Sequence, residues 1–451
     1  MKRLALTVSL LALLATPVLA QTTTRIERNA VEAHMNFLAG DELQGRGSAT
    51  RDEAIAAAYV AAQFRLAGLT PVPGMDGYLQ RAPVTKTTPS GAAVLTVGSN
   101  ALVQGTDFAI LTGGLSGASG AVTVASDPAA LPSGAEVLMI APEEGPGVRA
   151  VFGAAMRSGA KVILLRRTEV LAQATSDNGP RDPSIRLSET PPRGGPTVLV
   201  VAPEAYDRLA AVGGSAVFDP GATEISEGVT TNAIGWLPGT DPDGPVLMIS
   251  AHLDHLGVRS DGVVMYGAND DASGTVAVIE LARALAGTGP HRMNVMFVAY
   301  GSEEAGLLGS RYFVAHPPVP LERVKANLEI EMIADQDPTL PAGVMMMTGF
   351  ERSNFGPELK ARGALIGPDP YSDQNFFERS DNYALAQRGV VAHTISGWAT
   401  IPTYHTADDT IANINFDFMT AAIQSLVAPL SALAEGDFEP TWAEGGRPPE
   451  R

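Results

Sequence analysis

Residues 246–255 carry the sequence VLMISAHLDH, in which an apolar run ends directly at polar and charged side chains. Apolar runs of this length, bounded by polar residues, are typical of strands that are buried on both faces. In open α/β sheets, ligands bind beyond the carboxyl ends of such strands. We therefore predict a buried strand from Val246 to Ala251 that ends at a candidate site containing His252 and Asp254.

The segments that follow repeat this alternation of strand and helix. Further strands are predicted at Met293–Tyr300, Ala326–Ile333 and Gly389–Ser396, with helices at Ala272–Leu285, Ala305–Val314 and Phe416–Ala434. Such alternation implies a mostly parallel sheet that is sandwiched by helices. The predicted fold class is therefore α/β.

Changes of composition predict how the chain is divided. Residues 24–86 suit the opening helices of the α/β domain, which continues through residues 228–435. Residues 87–227 are rich in Gly, Ser, Thr and Pro and contain a β-α-β pattern without a phosphate-binding glycine motif, so we predict a smaller inserted domain there. The Pro, Gly and charges of residues 436–451 predict a disordered tail.

The start of the chain has the composition of a secretory signal peptide, predicted over residues 1–20. Lys2 and Arg3 precede an apolar run from Leu4 to Leu14, and the small residue Ala20 ends the segment. The run is too short for a transmembrane helix, and a buried core helix is the alternative. We therefore predict an exported protein, periplasmic or secreted, without a membrane anchor after signal removal.

Charge and cysteine content exclude several classes of function. A net charge of −18 argues against nucleic acid or an anionic membrane surface as a partner, because both attract basic proteins. The sequence contains no cysteine, so a metal site would have to use His, Asp and Glu. Such ligands suit zinc, manganese or cobalt.

Two polar clusters place carboxylates near an imidazole. His252 and Asp254 are two residues apart in an extended segment, so His252 can bind a metal while Asp254 holds its ring. Asp270 and Asp271 precede a predicted helix, where Asp270 could bridge two metal ions. A satisfied polar pair and a helix cap are the ordinary alternatives.

Further clusters supply glutamates and a second imidazole. Adjacent Glu303 and Glu304 face opposite ways in an extended segment, so one can bind metal while the other acts as general base on a water. Glu331 ends an apolar strand and needs a partner. His405 is a candidate ligand, and Tyr404 a candidate donor to a developing oxyanion. A solvated acidic turn and a surface loop are the alternatives.

This order of His, Asp, Glu-Glu, Glu and His resembles the co-catalytic zinc aminopeptidase family, which includes glutamate carboxypeptidase-like metallopeptidases. The resemblance covers roughly the second half of the chain, and residues from about 87 to 227 resemble the protease-associated insert of many members. It implies the zinc exopeptidase fold, two zinc ions and peptide substrates.

The resemblance also implies a role for each candidate residue. The implied metal ligands are His252 and Glu331 on one zinc ion, Glu304 and His405 on the other, and Asp270 as the bridge between them. Glu303 would be the general base, Asp254 the residue that orients His252, and Tyr404 the oxyanion donor. A cis peptide bond between Asp270 and Asp271 is implied as well.

Two positions depart from the family pattern. Glu331 stands where Asp is usual, and its longer side chain can shift geometry or specificity. Asn382 follows Ser380 and Asp381 where His is commoner. We predict an aminopeptidase that removes N-terminal residues. A carboxypeptidase or dipeptidase that binds a carboxylate through arginines, and a non-catalytic binding relative, are the alternatives.

Overall fold

The computed structural model describes residues 25–450 apart from residues 114–116, 126, 128–129, 146, 176–182 and 192–194. The signal peptide predicted for residues 1–20 lies outside the described residues.

The described residues form ten α-helices: α1 (Arg28–Leu38), α2 (Arg51–Leu66), α3 (Gly147–Met156), α4 (Glu169–Ala174), α5 (Pro203–Val212), α6 (Ser273–Thr288), α7 (Leu308–Ala315), α8 (Phe355–Ala361), α9 (Asn382–Gln387) and α10 (Phe416–Leu433).

The strands of the described chain are β1 (Leu79–Pro89), β2 (Val94–Val97), β3 (Asn100–Val103), β4 (Phe108–Thr112), β5 (Ala118–Val124), β6 (Val137–Ile140), β7 (Val162–Arg166), β8 (Ser184–Leu187), β9 (Thr197–Val201), β10 (Ser215–Asp219), β11 (Thr223–Leu237), β12 (Val246–His252), β13 (Gly257–Val258), β14 (Val264–Met265), β15 (Asn294–Tyr300), β16 (Val324–Ile330), β17 (Met345–Met347), β18 (Ile366–Pro368) and β19 (Val391–Ser396). The strands predicted from the sequence correspond to β12, β15, β16 and β19.

The larger sheet has nine strands in the order β18-β17-β19-β16-β12-β15-β11-β1-β8. Its centre is parallel, because β12 pairs in parallel with β15 and β16, and β16 does so with β19. Its flanks include antiparallel pairs, in which β11 joins β15 and β1, and β17 joins β19. The sheet is therefore mixed, and the four predicted strands lie at its centre.

Successive side chains of β12 enter two different cores. Leu247 and Ile249 pack in the cluster that contains α1, α2, α6 and α10, whereas Val246 and Met248 pack in the cluster that contains α7 and α9. Burial on both faces explains why the strand is apolar without alternation. Helix α10 is long and apolar enough to cross a membrane by length and composition alone, yet half of that window is buried in the first core.

A second sheet of eight strands, ordered β3-β2-β10-β5-β6-β7-β9-β4, lies between residues 94 and 219. It has apolar clusters of its own. The antiparallel pair β1 and β11, in register over Leu79–Pro89, leads the chain into and out of this sheet. The predicted boundaries at 87 and 227 fall within these two strands, and β8 from the same region pairs with β1 in the larger sheet. A protease-associated type for this unit stays a prediction.

The chain end, predicted to be disordered over residues 436–451, instead contacts the larger sheet domain within the described residues. Trp442 Nε1 donates a hydrogen bond to the carbonyl of Gly389 at 3.0 Å, and its ring lies 5.4 Å from that of His393. The backbone N–H of Thr441 donates to a side-chain oxygen of Asn354 at 2.8 Å. The prediction of disorder rested on Pro, Gly and charge content, which does not indicate these contacts with distant residues or the aromatic ring of Trp442.

Candidate metal centre

His252 ends strand β12 and is fully buried. The hydroxyl of Thr275 donates to its carbonyl at 2.7 Å and so ties the strand end to α6. Its Nε2 lies 3.2 Å from Asp270 Oδ1 and 4.0 Å from Glu331 Oε1. Its Nδ1 lies 3.7 Å from Asp254 Oδ1 and 3.2 Å from the carbonyl of Asp254. One ring nitrogen therefore faces the candidate ligands while the other faces Asp254.

Asp270 lies in an irregular turn before α6, and its peptide bond to Asp271 is cis, as expected. The carboxylate of Asp409 accepts hydrogen bonds from the backbone N–H groups of Asn269 at 2.8 Å and Asp270 at 3.1 Å. Gly267 begins the turn at φ 60, where a Cβ would stand 2.3 Å from the carbonyl of Asp270. A larger residue would have to displace that turn.

The two carboxylate oxygens of Asp270 face different imidazoles. Oδ1 faces His252, and Oδ2 lies 3.2 Å from Nε2 of His405. The same nitrogen of His405 lies 3.2 Å from Glu304 Oε1. His405 has φ 54, and its ring stacks on that of Tyr404 with centroids 3.8 Å apart. Asp270 is therefore placed between two sets of ligand-type groups.

Glu303 and Glu304 follow β15 in a turn that begins at Ser302, where φ is 54. Their backbone N–H groups donate to Asp254, at 2.9 Å from Glu303 to Oδ1 and 3.4 Å from Glu304 to Oδ2. The carboxylate of Glu304 contacts His405, whereas within the described chain no ion pair joins the carboxylate of Glu303 to another residue. The two neighbours therefore have different surroundings.

Glu331 directly follows β16, and its backbone N–H donates to the carbonyl of Ile395 at 3.0 Å. Met332 turns the chain with φ 54 and donates its N–H to Asp271 Oδ1 at 3.0 Å. The side chain of Glu331 reaches 4.0 Å from Nε2 of His252. Glu in place of the usual Asp thus still lies within the site.

These side chains form two groups, and within each group the ligand atoms lie within 4.8 Å of one another. One group is His252, Asp270 and Glu331, and the other is His255, Asp270, Glu304 and His405. Buried atoms without a hydrogen-bond partner include His252 Nε2 and both ring nitrogens of His255. Buried polar atoms rarely stay unsatisfied, and imidazole and carboxylate are zinc ligands. The residues present therefore fit two cations that share Asp270.

Residues 232–429 match the sequence profile of peptidase family M28. These residues form most of the larger sheet domain, and this part of the chain resembles that family. The matched region contains every candidate ligand from His252 to His405.

Curated proteins resemble this region in sequence, and solved structures resemble the chain in fold. Leupeptin-inactivating enzyme 1 of Streptomyces exfoliatus is 32% identical over 218 residues, which is 43% of this chain and 46% of that protein. The chain spans about half the length of the curated relatives it matches. The aminopeptidase from Aneurinibacillus sp. strain AM-1 aligns with a TM-score of 0.61 at 18% identity, over 91% of this chain and 94% of that one. BSAP, a zinc aminopeptidase from Bacillus subtilis, aligns with a TM-score of 0.57 at 18% identity, over 91% and 96%.

The electrostatics of the candidate site favour a bound cation. Burial raises the pKa of Glu303 well above its usual value, although His252 opposes the shift. Burial also raises the pKa of Glu331. Burial lowers the pKa of His405, but its hydrogen bonds to Asp270 and a neighbouring glutamate outweigh this and raise it to about 10. The cluster retains protons to balance its negative charge, and a metal ion would supply that positive charge instead.

One buried imidazole of the candidate site was not assigned from the sequence. His255 is fully buried, with Nδ1 2.9 Å from Glu304 Oε1 and 3.7 Å from Asp270 Oδ2. The signal was present, since His255 directly follows Asp254 in the segment VLMISAHLDH.

Two supporting residues were also missed. Arg46 is fully buried, and its guanidinium donates to the carbonyls of Leu253 at 2.8 Å, Leu38 at 2.6 Å, Tyr266 at 2.8 Å and Gly267 at 2.8 Å. It thereby connects α1, the end of β12 and the turn of Asp270. Asp409 holds the same turn from the His405 loop. The sequence showed both residues only as charges in loops, without an indication of their partners.

A partly open cavity lies beside the two ligand groups. Its lining combines Asp270, Glu303, Glu304, Glu331 and Tyr404 with the apolar side chains Met332, Met346, Phe376 and Ala399. Arg379 also lines it and lies over the ring of Phe376, with 4.9 Å from the guanidinium carbon to the ring centroid. A cavity of this kind can bind one apolar side chain next to a peptide bond held at the carboxylates.

Proposed function

We propose that the chain is an exported di-zinc exopeptidase that removes N-terminal residues from peptides. The observation that carries the proposal is Asp270, whose two oxygens face two separate ligand groups. Resemblance to family M28 and relatives named as aminopeptidases support it. Export rests on the composition of residues 1–20.

The chain would bind the two zinc ions through nitrogen and oxygen atoms alone. His252 and Glu331 would hold one ion, Glu304 and His405 the other, and Asp270 would contact both. When bound, the two ions would polarise the scissile carbonyl and lower the pKa of the attacking water.

Glu303 is the general base in this proposal. It lines the cavity, and within the described chain no ion pair holds its carboxylate. A carboxylate oxygen of Glu303 accepts a proton from the attacking water and then gives it to the nitrogen of the leaving amine. The raised pKa of Glu303 suits this task, because a base must keep the proton long enough to return it near neutral pH.

Asp254 and Tyr404 assist in different ways. Asp254 accepts the backbone N–H of Glu303 and faces Nδ1 of His252, so it holds both in position. Tyr404 lines the cavity, and burial raises the pKa of its phenol further above the usual value. The phenol therefore keeps its proton and can donate it in a hydrogen bond to the developing oxyanion.

The charge of the cavity favours an aminopeptidase. Glu303 and Glu331 line it together with the other site carboxylates, so the protonated amino terminus of a peptide meets opposite charge there.

A carboxypeptidase or dipeptidase is the second candidate, and Arg379 is the observation in its favour. Arg379 lines the cavity, and within the described chain no ion pair holds its guanidinium. By contrast, Arg362 pairs with Glu358 and Asp437. One arginine is less than the cluster expected for a site built around a terminal carboxylate.

Four leucyl peptides with matched sequence distinguish these activities: free at both ends, acetylated at the N-terminus, amidated at the C-terminus, and blocked at both ends. An aminopeptidase hydrolyses the free and amidated peptides and not the acetylated ones. Cleavage of the acetylated but not the amidated peptide would establish a carboxypeptidase instead. A chelator should abolish the activity and zinc should restore it. Less than one metal ion per chain after purification without chelator would overturn the metal centre.

A further inference from the structure

His255 has the surroundings of a metal ligand. It is fully buried, and neither ring nitrogen has a hydrogen-bond partner. Its Nδ1 lies 2.9 Å from Glu304 Oε1 and 3.7 Å from Asp270 Oδ2, both of them oxygens of candidate ligands. Burial removes the water that would hydrogen-bond to an imidazole. Without a replacement partner, such as a metal ion, this desolvation destabilises the folded protein.

The backbone holds His255 rigidly in this place. Its N–H donates to the carbonyl of Arg46 at 3.2 Å, next to a parallel backbone bridge between His255 and Gly47. Its ring packs directly against Gly267, where a Cβ would stand 2.3 Å from the imidazole Cγ. The ring of His405 lies edge-on at 5.6 Å. The glycine therefore makes room for this imidazole beside the other candidate ligands.

We propose that His255 is a sixth metal ligand and binds the same ion as Glu304 and His405. This inference rests on the proposed metal centre and extends it. That ion would then have four protein ligands, Asp270 included, and all four belong to one group within 4.8 Å. The ion bound by His252 and Glu331 has three, again including Asp270.

The extra imidazole makes the two metal sites unequal. Four protein ligands close a zinc site in the manner of structural zinc, whereas three leave a position open for water or substrate. The four-ligand site therefore fills first and releases its ion last. The three-ligand site exchanges its metal more readily and offers its open position to the substrate.

Zinc titration of the apoprotein against a competing chelator tests this proposal without any assay of activity. Wild-type protein should bind two zinc ions with clearly different affinities. His255→Ala should lower the tighter affinity by at least about 10–100-fold, the loss typical even of a group that only supports a ligand. His291→Gln replaces a buried histidine remote from the candidate ligands and should change neither affinity.

X-ray absorption on wild-type protein with one equivalent of zinc avoids any question of variant folding. Two imidazoles at about 2.0–2.1 Å are expected around the first ion. A single imidazole there, or unchanged zinc affinities in His255→Ala, would overturn the role of His255 while leaving the di-zinc site intact. Failure of wild-type protein to bind two zinc ions would instead overturn the proposed function itself.

Discussion

Asp254 Oδ1 accepts a hydrogen bond from the backbone N–H of Glu303 at 2.9 Å. The same oxygen lies 3.7 Å from Nδ1 of His252, and Ser48 donates its hydroxyl to the other oxygen at 2.6 Å. One carboxylate therefore fixes the turn that carries the proposed base and the ring of a proposed ligand. Asp254 therefore couples metal binding by His252 at the end of β12 to proton transfer by Glu303 after β15.

Asp254→Asn should weaken metal binding and catalysis together. The amide nitrogen cannot accept the N–H of Glu303 or the hydroxyl of Ser48, so one of these bonds is lost. We expect zinc affinity or kcat to fall by about 10–100-fold, as when a supporting partner of a metal ligand is removed. Chelator competition and steady-state kinetics measure the two effects. Ser48→Ala, which removes one donor only, is the matched control with a smaller loss. Unchanged affinity and kcat in Asp254→Asn would show that Asp254 orients neither residue.

Two variants of Glu331 test whether Glu can replace the usual Asp as a metal ligand at this position. Glu331→Ala removes one of three ligands of its group, so zinc and activity should be lost together. Glu331→Asp restores the usual family residue and should keep measurable activity. Elemental analysis of both variants beside wild-type protein decides the matter, and full zinc occupancy in the Ala variant would exclude Glu331 as a ligand.

His252 and Glu331 can be located from the sequence because they follow apolar strands directly. His252 ends the run that begins at Val246, and Glu331 follows Ile330 at the end of β16. Parallel neighbours in a sheet bring such strand ends together, and strands are visible in the sequence as apolar runs.

The supporting contacts could not be predicted because they depend on irregular backbone. Ser302, Met332 and His405 all have positive φ, a conformation that no apolar periodicity encodes. The hydrogen bond from the backbone N–H of Asp270 to the carboxylate of Asp409 joins residues that are 139 positions apart in the sequence. The ordered chain end depends similarly on contacts between residues distant in sequence, such as Trp442 with Gly389 and Thr441 with Asn354.

The neutral, buried His393 should make the protein sensitive to acid. Its Nδ1 donates to the carbonyl of Thr348 at 3.0 Å, Ser353 donates to its Nε2 at 2.7 Å, and burial lowers its pKa from 6.5 to about 4. Because the unfolded chain binds this proton first, the stabilising contribution is complete above pH 6.5 and falls as the pH drops toward 4. The expected loss is about 3 kcal/mol of the free energy of unfolding.

Urea unfolding at pH 7 and pH 4 measures this contribution in wild type and in His393→Gln, which keeps a donor and an acceptor but cannot titrate. Both proteins are measured in excess chelator, so that the metal site affects them equally. The variant should lose less stability than wild type on acidification. Equal losses in the two proteins would mean that His393 does not control acid sensitivity.

The last prediction separates the roles of two adjacent glutamates. Glu304 Oε1 lies 3.2 Å from Nε2 of His405 and belongs to a ligand group, whereas Glu303 lines the cavity outside both groups. Glu303→Gln keeps the size of the side chain but removes the basic oxygen, so the variant should fold, bind both zinc ions and retain its KM. Its kcat should fall by about 10²–10⁴-fold, the usual contribution of a general base. Glu304→Gln is the matched control and should lose zinc affinity first, with activity partly restored by excess zinc. Hydrolysis by Glu303→Gln at a near wild-type rate would show that Glu303 is only a structural carboxylate and that another group takes the proton from the attacking water.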